Sequence, residues 1–440
     1  MPESYNFRVS KLGKTNIPSP IPMSKKYGDA LANYVKDDEF ILYNIDAKPN
    51  EDIPAYSEDQ LLEKAGPREL IYFNPGHVHA GIVTCGGLCP GLNVVIRSIV
   101  FTLWHRYGVT RISGIQYGYR GFLPEYNLPF LPLDPDLVDD IHTTGGTILG
   151  SSRGGADIST IVDSIERMNL NILFTIGGDG TQRGALAIAE EIKKRGLKIA
   201  VVGIPKTIDN DLSFIQKSFG FETAVSLAVQ AVYSAHTEAN AAVNGIGLVK
   251  VMGRESGFIA AHTALASSCV NFCLIPEIPF DLEGKNGLYA HLRDRLGKKD
   301  HAVILIAEGA GQNLLKASNQ KDQSGNKKLS DIGHYLETRI PGYFQEKKLE
   351  VTLKYIDPSY MIRSAPANPN DAIYCSRLGS HAVHAAMTGR TRMLISLVNN
   401  TFVHLPMDLA VARRNYVDPE GPLWRDVLES TRQPIQLHNA

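Results

Sequence analysis

The chain has 440 residues, with 45 Lys and Arg against 46 Asp and Glu, and a formal net charge of −1. This length exceeds the roughly 250–300 residues that one hydrophobic core usually supports, so we expect two lobes. The charge balance argues against nucleic-acid binding through bulk charge and leaves only a local basic pocket open. No apolar run approaches the ~20 residues of a membrane span, and the N-terminus lacks the apolar segment of a signal peptide. Five cysteines without zinc-ligand spacing are typical of buried thiols in a reducing compartment, so we expect a cytoplasmic protein.

Residues 1–75 are polar with a few aromatic islands, such as 40–43. We expect an extension that wraps a neighbouring surface, for example that of another subunit, with disorder of the first 20 residues as the alternative. From residue 80 onward, short apolar runs alternate with helical patterns. The predicted elements are, in chain order, strand 82–84, helix 93–106, strand 112–117, helix 160–168, strand 172–176, helix 181–195, strand 200–204, helix 221–241, strand 247–251, helix 257–267, strand 271–275, helix 288–296 and strand 302–307.

This alternation predicts mostly parallel sheets that are covered by helices on both faces. Ligands of such sheets bind beyond the carboxyl ends of the strands, where the glycine-rich turns of this chain fall. Segment 317–330 is polar and contains few apolar residues, so we expect an exposed loop with solvated lysines.

The most informative turns are TIGGDGT at 175–181 and PKTIDNDL at 205–212, each of which ends an apolar run. Glycines let the backbone approach phosphates closely, and Asp179 among them offers a hard oxygen to Mg²⁺. The second turn supplies the hydroxyl of Thr207 and the carboxylates of Asp209 and Asp211 for another substrate. Together the two turns predict a phosphoryl-transfer site.

Two further glycine turns, 86–93 and 145–153, carry weaker signals. The first opens a predicted helix, whose N-terminal N–H groups either bind an anion or merely complete a tight connection. Arg153 in the second turn is either a surface arginine or a cation that reaches the transferred phosphate. The chain contains neither a G-x-x-x-x-G-K-[ST] sequence nor an H-R-D catalytic loop, which excludes P-loop enzymes and protein kinases.

In this order, the motifs resemble the phosphofructokinase family. The matching segments are GGLCPGLN at 86–93, GGTILGSSR at 145–153, GGDGT at 177–181, PKTIDND at 205–211, MGRESG at 252–257, AEG at 307–309 and ETR at 337–339. The resemblance spans roughly residues 80–410. The chain is most similar to the longer ATP-dependent members found in plants and some protists. It implies an α/β protein of two Rossmann-like three-layer lobes with mostly parallel sheets, plus the N-terminal extension.

The resemblance also assigns the lobes. A nucleotide-binding lobe would cover 76–220 and be completed by about 364–410. A sugar-phosphate-binding lobe would cover 221–363, with 411–440 packing back on it. The implied partners are fructose 6-phosphate, ATP and further copies of the same chain in a dimer or tetramer, with no nucleic acid and no membrane.

By the same resemblance, the γ-phosphate of MgATP passes to the C1 hydroxyl of fructose 6-phosphate, with Asp209 as the base. Asp179 would hold Mg²⁺, and Asp211 would orient its loop or only brace the turn. The other implied catalytic residues are Thr207, Arg254 and Arg153. The implied nucleotide contacts are Gly86, Arg153, Gly154, Gly178, Asp179, Gly180 and Thr181. The implied sugar-phosphate contacts are Thr207, Ile208, Asp209, Met252, Gly253, Arg254, Glu308, Arg339, Tyr360 and Arg363. Tyr360 occupies the position where the family has His. For Met252, a purely structural role in the core is the alternative.

Lys206 and Gly245 depart from the pattern of compact bacterial members, and Gly180 bears on the choice of phosphoryl donor. These members have Gly at the position of Lys206, where pyrophosphate-dependent members carry Lys, but pyrophosphate users usually have Asp at the position of Gly180. Because a carboxylate there would repel the α-phosphate of ATP, we give Gly180 more weight and expect ATP as the donor. Gly245 replaces an arginine, so sugar-phosphate capture from a neighbouring subunit would rest on Arg339 or another cation. The alternatives are a pyrophosphate-dependent enzyme and a non-catalytic regulatory subunit, the latter disfavoured by the presence of Asp179 and Asp209.

Overall fold

The computed structural model describes residues 5–45, 56–316 and 329–439, which divide into two compact units. Among these residues, the first unit comprises 5–45, 56–207, 212–220 and 366–414, and the second comprises 208–211, 221–316, 329–365 and 415–439. The PKTIDND segment is therefore shared, since Thr207 belongs to the first unit and Ile208–Asp211 to the second. Most of the loop expected at 317–330 lies outside the described residues.

The main elements follow in chain order. The longer strands are β1 (His79–Thr84), β2 (Arg111–Ile115), β3 (Ile172–Gly177), β4 (Ala200–Pro205), β5 (Gly245–Val251), β6 (Phe272–Leu274), β7 (His301–Ala307), β8 (Thr352–Ile356), β9 (Met393–Val398) and β10 (Thr401–Pro406). The longer helices are α1 (Leu92–Phe101), α2 (Ile158–Arg167), α3 (Asp179–Lys194), α4 (Phe221–Asn240), α5 (Phe258–Ser267), α6 (Leu288–Lys299), α7 (Ile332–Glu346), α8 (Ser359–Ser364), α9 (Pro369–Met387), α10 (Met407–Ala412) and α11 (Pro422–Thr431).

The first unit is built on one sheet in the order β10-β9-β4-β3-β1-β2, with Leu131–Pro132 added at the β2 edge. Neighbours from β9 to β2 are parallel, and the two outermost pairs are antiparallel. Helices α2 and α3 cover one face, and α9 packs on α1 and lies against β4. Every residue of β3 and β4 is buried, as expected for central parallel strands that are covered on both sides.

The second unit is built on a parallel sheet in the order β6-β7-β5-β8. Side chains alternate along its central strands, so Val249 and Val251 of β5 join the core with α4, α5 and α11. Ile246 and Leu248 of the same strand join a separate core with α6 and α7 on the opposite face. The fold class of two three-layer α/β units with mostly parallel sheets is confirmed.

The N-terminal extension packs on its own unit where it is described. Phe7 and Leu62 are buried with Phe214, and the ring centroids of Tyr5 and Phe214 lie 4.7 Å apart. Glu63 accepts a hydrogen bond from Arg390 Nε at 2.9 Å. Although burial opposes ionisation, Arg390 and a neighbouring histidine hold the pKa of Glu63 well below its usual value. Tyr5 and Phe7 of this segment thus cover a surface of their own chain.

Two predicted boundaries shift in an informative way. The helix expected at 181–195 begins at Asp179, so Asp179 and Gly180 form its first turn instead of a preceding loop. The strand expected at 112–117 ends at Ile115, because Tyr117 has a φ of 55° and leaves the extended conformation. In the described part of the chain, no helix combines the length and apolar character that crossing a membrane requires.

Candidate active site

In the first unit, three neighbouring parallel strands, β4, β3 and β1, end at the same edge of the sheet. The buried side chain of Lys206, just after β4, donates from Nζ to the carbonyl oxygen of Gly87 beyond β1 at 2.7 Å. The backbone N–H of Lys206 donates to the carbonyl of Gly177 at the end of β3, at 3.0 Å. The three turns predicted to carry chemistry are therefore joined into one group.

The glycines of this group are needed because the turns approach one another closely. A Cβ on Gly177 would lie 2.2 Å from Thr181 Oγ1, and one on Gly178 would lie 3.0 Å from the carbonyl oxygen of Lys206. Gly86 has a φ of +88°, which disfavours other residues. A Cβ on Gly180, by contrast, would meet no atom within 4 Å. The space beside Gly180 is thus open at the N-terminus of α3, where the helix dipole and free N–H groups favour phosphate.

Asp179 occupies the first position of α3 and lies between two arginines that sequence reasoning missed. Arg183 Nε donates to its Oδ1 at 3.0 Å, and a guanidinium nitrogen of Arg414 lies 3.5 Å from its Oδ2. The spacing of Asp179 and Arg183 by four residues on a helix was a usable signal. No local pattern pointed to Arg414, which the fold brings from a distant part of the sequence.

The donor set at Asp179 fits a magnesium ion that is shared with phosphates. Within residues 5–45, 56–316 and 329–439, no group of three or more His, Cys, Asp or Glu side chains forms a metal-binding cluster. Mg²⁺ is commonly held by one or two carboxylates together with substrate phosphates and water. A single carboxylate at a phosphate-binding helix N-terminus matches that pattern and does not match a metal site built from protein ligands alone.

Arg153 and Gly154 lie in the exposed loop that faces the β1 turn. The backbone N–H of Gly86 donates to the carbonyl of Ser152 at 3.0 Å, and a Cβ on Gly87 would lie 3.0 Å from an Arg153 guanidinium nitrogen. The structure therefore places Arg153 beside the glycine turn, and Gly154 follows it with a φ of +111°. Thr207 follows Lys206, and its backbone N–H donates to Ser218 Oγ at 2.7 Å.

In the second unit, Asp209 lies in a group of carboxylates. Its Oδ1 is buried and accepts no hydrogen bond from any described residue. Burial, followed by the negative charges of Asp211 and Glu308, raises the pKa of Asp209 to about 7, although Arg363 and the backbone N–H of Arg254 oppose the shift. A carboxylate whose pKa lies near neutrality, and which has an unpartnered oxygen, is suited to accept a proton.

The MGR and AEG segments follow the adjacent strands β5 and β7 and are held together by their backbones. Glu308 N donates to the carbonyl of Val251 at 2.9 Å, and Gly309 N donates to that of Gly253 at 3.0 Å. Gly253 has a φ of +124°, and a Cβ on Gly309 would lie 1.9 Å from the carbonyl oxygen of Arg254. Only glycine fits at these two positions, because the two segments run side by side.

Helix α8 brings Arg363 into the group that contains Asp209. Arg363 Nε donates to the Sδ of Met252 at 3.3 Å, and the Met252 side chain is itself part of the core. Ile208 packs against the same core, whereas Tyr360 is 83% exposed. The structure thus brings Asp209, Glu308, Met252 and Arg363 into one neighbourhood and leaves Tyr360 open to solvent.

Arg339 lies elsewhere in the second unit. It is carried by α7, on the sheet face opposite the core that contains Ile208, and a guanidinium nitrogen lies 3.8 Å from Glu283. The structure does not place it beside Asp209, so its role toward the 6-phosphate stays a prediction. Gly245 cannot be replaced by a cation without movement, because a Cβ there would lie 2.0 Å from the carbonyl oxygen of Ala239.

Comparisons with known proteins agree on one family. A family model described as phosphofructokinase matches residues 79–386. The chain is 59% identical to the ATP-dependent 6-phosphofructokinase of Borreliella burgdorferi over 99% of each protein. It is 49% identical to ATP-dependent 6-phosphofructokinase 1 of Arabidopsis thaliana, over 96% of this chain and 89% of that one. A crystal structure of a pyrophosphate-dependent phosphofructokinase from Marinobacter aquaeolei superposes with a TM-score of 0.66 at 18% identity, covering 80% of this chain and 91% of that one. The identity of this last match is low, so it shows a shared fold alone.

Proposed function

The chain belongs to the phosphofructokinase family, and we propose that it transfers the γ-phosphoryl group of ATP to the C1 hydroxyl of fructose 6-phosphate. The products are fructose 1,6-bisphosphate and ADP. The observation that carries this proposal is the buried, unpartnered Oδ1 of Asp209, whose pKa lies near neutrality beside Glu308 and Arg363. The near-full-length relatives that are named ATP-dependent 6-phosphofructokinases support it.

In this reaction Asp209 takes the proton of the C1 hydroxyl. The C1 oxygen forms a bond to the γ-phosphorus, and the bond from that phosphorus to the oxygen bridging it to ADP breaks. A base with a pKa near the working pH combines a useful ionised fraction with a real affinity for the proton. Glu308 would accept hydrogen bonds from sugar hydroxyls, and Gly253 and Arg254 would border the sugar. Arg363 would provide a fixed cation for its phosphate.

The first unit would bind the nucleotide phosphates. The N-terminus of α3, the glycine turn after β1 and Arg153 offer N–H groups and positive charge to them. Asp179 would hold Mg²⁺, which neutralises phosphate charge when it is bound. Arg183 and Arg414 limit how freely the Asp179 carboxylate can turn, and they keep it in place at the helix start. We accordingly assign the 76–220 lobe, completed by about 364–410, to the nucleotide. We assign the 221–363 lobe, with 411–440, to the sugar phosphate.

ATP is the proposed donor because the space beside Gly180 is open and Gly180 itself brings no carboxylate into it. By its residue type, Lys206 is associated with pyrophosphate users. Its Nζ donates a hydrogen bond to the Gly87 carbonyl, so this lysine joins two turns whichever donor binds. The alternatives are a pyrophosphate-dependent enzyme and, with less support, a non-catalytic regulatory subunit. We further propose a cytoplasmic homo-oligomer, a dimer or tetramer.

A donor assay tests the proposal. Purified protein is supplied with fructose 6-phosphate, MgCl₂ and either ATP or pyrophosphate, and formation of fructose 1,6-bisphosphate is followed by a coupled aldolase assay. The expected result is turnover with ATP and no turnover with pyrophosphate. Turnover confined to pyrophosphate would establish the alternative donor, and no turnover with either would overturn the assignment as an enzyme of this class.

A further inference from the structure

Lys250 is a buried lysine near the carboxyl end of β5 that the proposed chemistry does not use. Its Nζ lies 3.0 Å from Asp331 Oδ1 and 3.0 Å from Asp357 Oδ2. Burial alone would lower the pKa of Lys250, but the hydrogen bonds to the two aspartates outweigh burial and hold this pKa above its ordinary value. The side chain is thus a charged, multiply bonded group inside the second unit.

Each aspartate that pairs with Lys250 also starts a helix. Asp331 is the N-cap of α7, where its Oδ1 accepts the backbone N–H of His334 at 3.2 Å. Asp357 precedes α8, and its Oδ1 accepts the backbone N–H of Ser359, the first residue of that helix, at 3.0 Å. One ammonium group therefore binds the carboxylates that organise the first turns of two helices.

The three elements joined in this way carry side chains that the family resemblance implies for the sugar phosphate, although Arg339 does not lie beside Asp209. Strand β5 runs directly into Met252 and Arg254, α7 carries Arg339, and α8 carries Arg363. Lys250 and Met252 are separated by a single residue, so the lysine is anchored at the point where β5 enters the sugar-binding turn. Any change at Lys250 acts on both helix starts and on this turn at once.

We propose that Lys250, through Asp331 and Asp357, is a positioning residue that sets the placement of α7 and α8 relative to the MGR turn and thereby the affinity for the sugar phosphate. This inference rests on the proposed function. Arginines bind a phosphate, and carboxylates bind sugar hydroxyls, strongly only when their geometry is held before binding, and misplacement by about 1 Å can cost about 100-fold. Without the lysine, the carboxylates of Asp331 and Asp357, whose side chains are 42% and 32% exposed, would lose their shared cation, and nothing charged would hold the two helix starts together.

The test compares Lys250→Met, which keeps the apolar stem without the charge, with Lys250→Arg, which keeps the charge. Lys298→Met is the matched control, because Lys298 pairs with Asp294 at 2.8 Å on the exposed surface of α6. For each protein the KM values of fructose 6-phosphate and ATP, kcat and the urea midpoint are measured. We expect Lys250→Met to raise the KM of fructose 6-phosphate by about tenfold or more, with the KM of ATP changed by less than about threefold. Lys250→Arg should restore part of the affinity, and the control should match the parent.

The outcomes separate the positioning role from a role in stability alone. A folded Lys250→Met protein whose KM for fructose 6-phosphate stays within about threefold of the parent would overturn the inference, as would an equal rise of both KM values. If Lys250→Met does not fold, Asp357→Asn carries the same test, because asparagine keeps an oxygen for the Ser359 N–H but loses the charge that pairs with Lys250. Parent protein without activity on fructose 6-phosphate would reject the proposed function instead, and the parent assay is run first to distinguish the two.

Discussion

Replacing Asp209 by asparagine should remove the base while keeping the shape of the side chain. General-base catalysis typically contributes about 10²–10⁴-fold, which corresponds to roughly 3–5 kcal/mol of transition-state stabilisation. We expect kcat to fall by this order, with a far smaller change in the KM of fructose 6-phosphate, because the amide still fits the sugar site. In the parent, kcat/KM should fall as the pH drops through about 7, because protonated Asp209 cannot accept the hydroxyl proton.

The same replacement should stabilise the fold. The pKa of Asp209 rises from 3.8 to about 7 in the folded chain, so between these values the folded state binds more protons than the unfolded state. The stability contributed by this group is therefore fully present below pH 4 and is lost as the pH rises through 7. This difference in pKa corresponds to at most about 4 kcal/mol. Asparagine carries no charge at any of these pH values, so the variant should be the more stable protein at pH 8, and the difference from the parent should shrink as the pH falls toward 4.

Two measurements on the same preparations check this prediction. A coupled assay gives kcat and KM, and urea unfolding at pH 5 and pH 8 gives the difference in stability. Asp294→Asn serves as the control, since it removes a carboxylate whose side chain is 64% exposed and should change neither quantity. A variant within a few-fold of the parent kcat would show that Asp209 is not the base. An equal loss of stability by parent and variant between pH 5 and 8 would show that the Asp209 pKa is not raised.

Four further changes have defined expectations. Because Asp179 would hold the metal, activity with ATP should vanish in EDTA and return with excess MgCl₂, and full activity in EDTA would refute the metal assignment. Gly180→Asp should raise the KM of ATP far more than that of fructose 6-phosphate without lowering the urea midpoint, since its Cβ meets nothing within 4 Å and an acidic group suits a helix N-terminus. An unchanged KM for ATP would place Gly180 away from the nucleotide. Gly309→Ala should cost about 1–3 kcal/mol of stability by forcing the carbonyl of Arg254 aside, whereas Gly297→Ala, in open space within α6, should add about 0.5–1 kcal/mol; equal midpoints for the two variants would contradict this steric reading. If the active form is an oligomer, specific activity should fall on dilution as light scattering records dissociation, and a fully active monomer would disprove it.

Local pattern in the sequence was enough to predict the fold class, the family and the turns that carry the chemistry. Short buried runs followed by glycines show where parallel strands end, because both the apolar content of a central strand and the glycine requirement of a tight turn are properties of a few adjacent residues. The TIGGDGT and PKTIDND segments were therefore recognisable, and the strands before them lie side by side as expected. Elements beyond residue 307, such as α7 and α9, were not predicted.

Only the tertiary structure decided how the environment of each site residue modifies its chemistry. The pKa of Asp209 depends on Glu308 and Arg363, which are remote in sequence and adjacent only after β5, β7 and α8 have packed. The Asp179–Arg414 pair and the joining of two helix starts by Lys250 arise in the same way. The effect of one charged side chain on another is strong only when the two lie within a few ångströms of each other. It therefore depends on which segments, distant in sequence, the sheets bring together. No periodicity or motif in a single sequence gives the distance between two such segments.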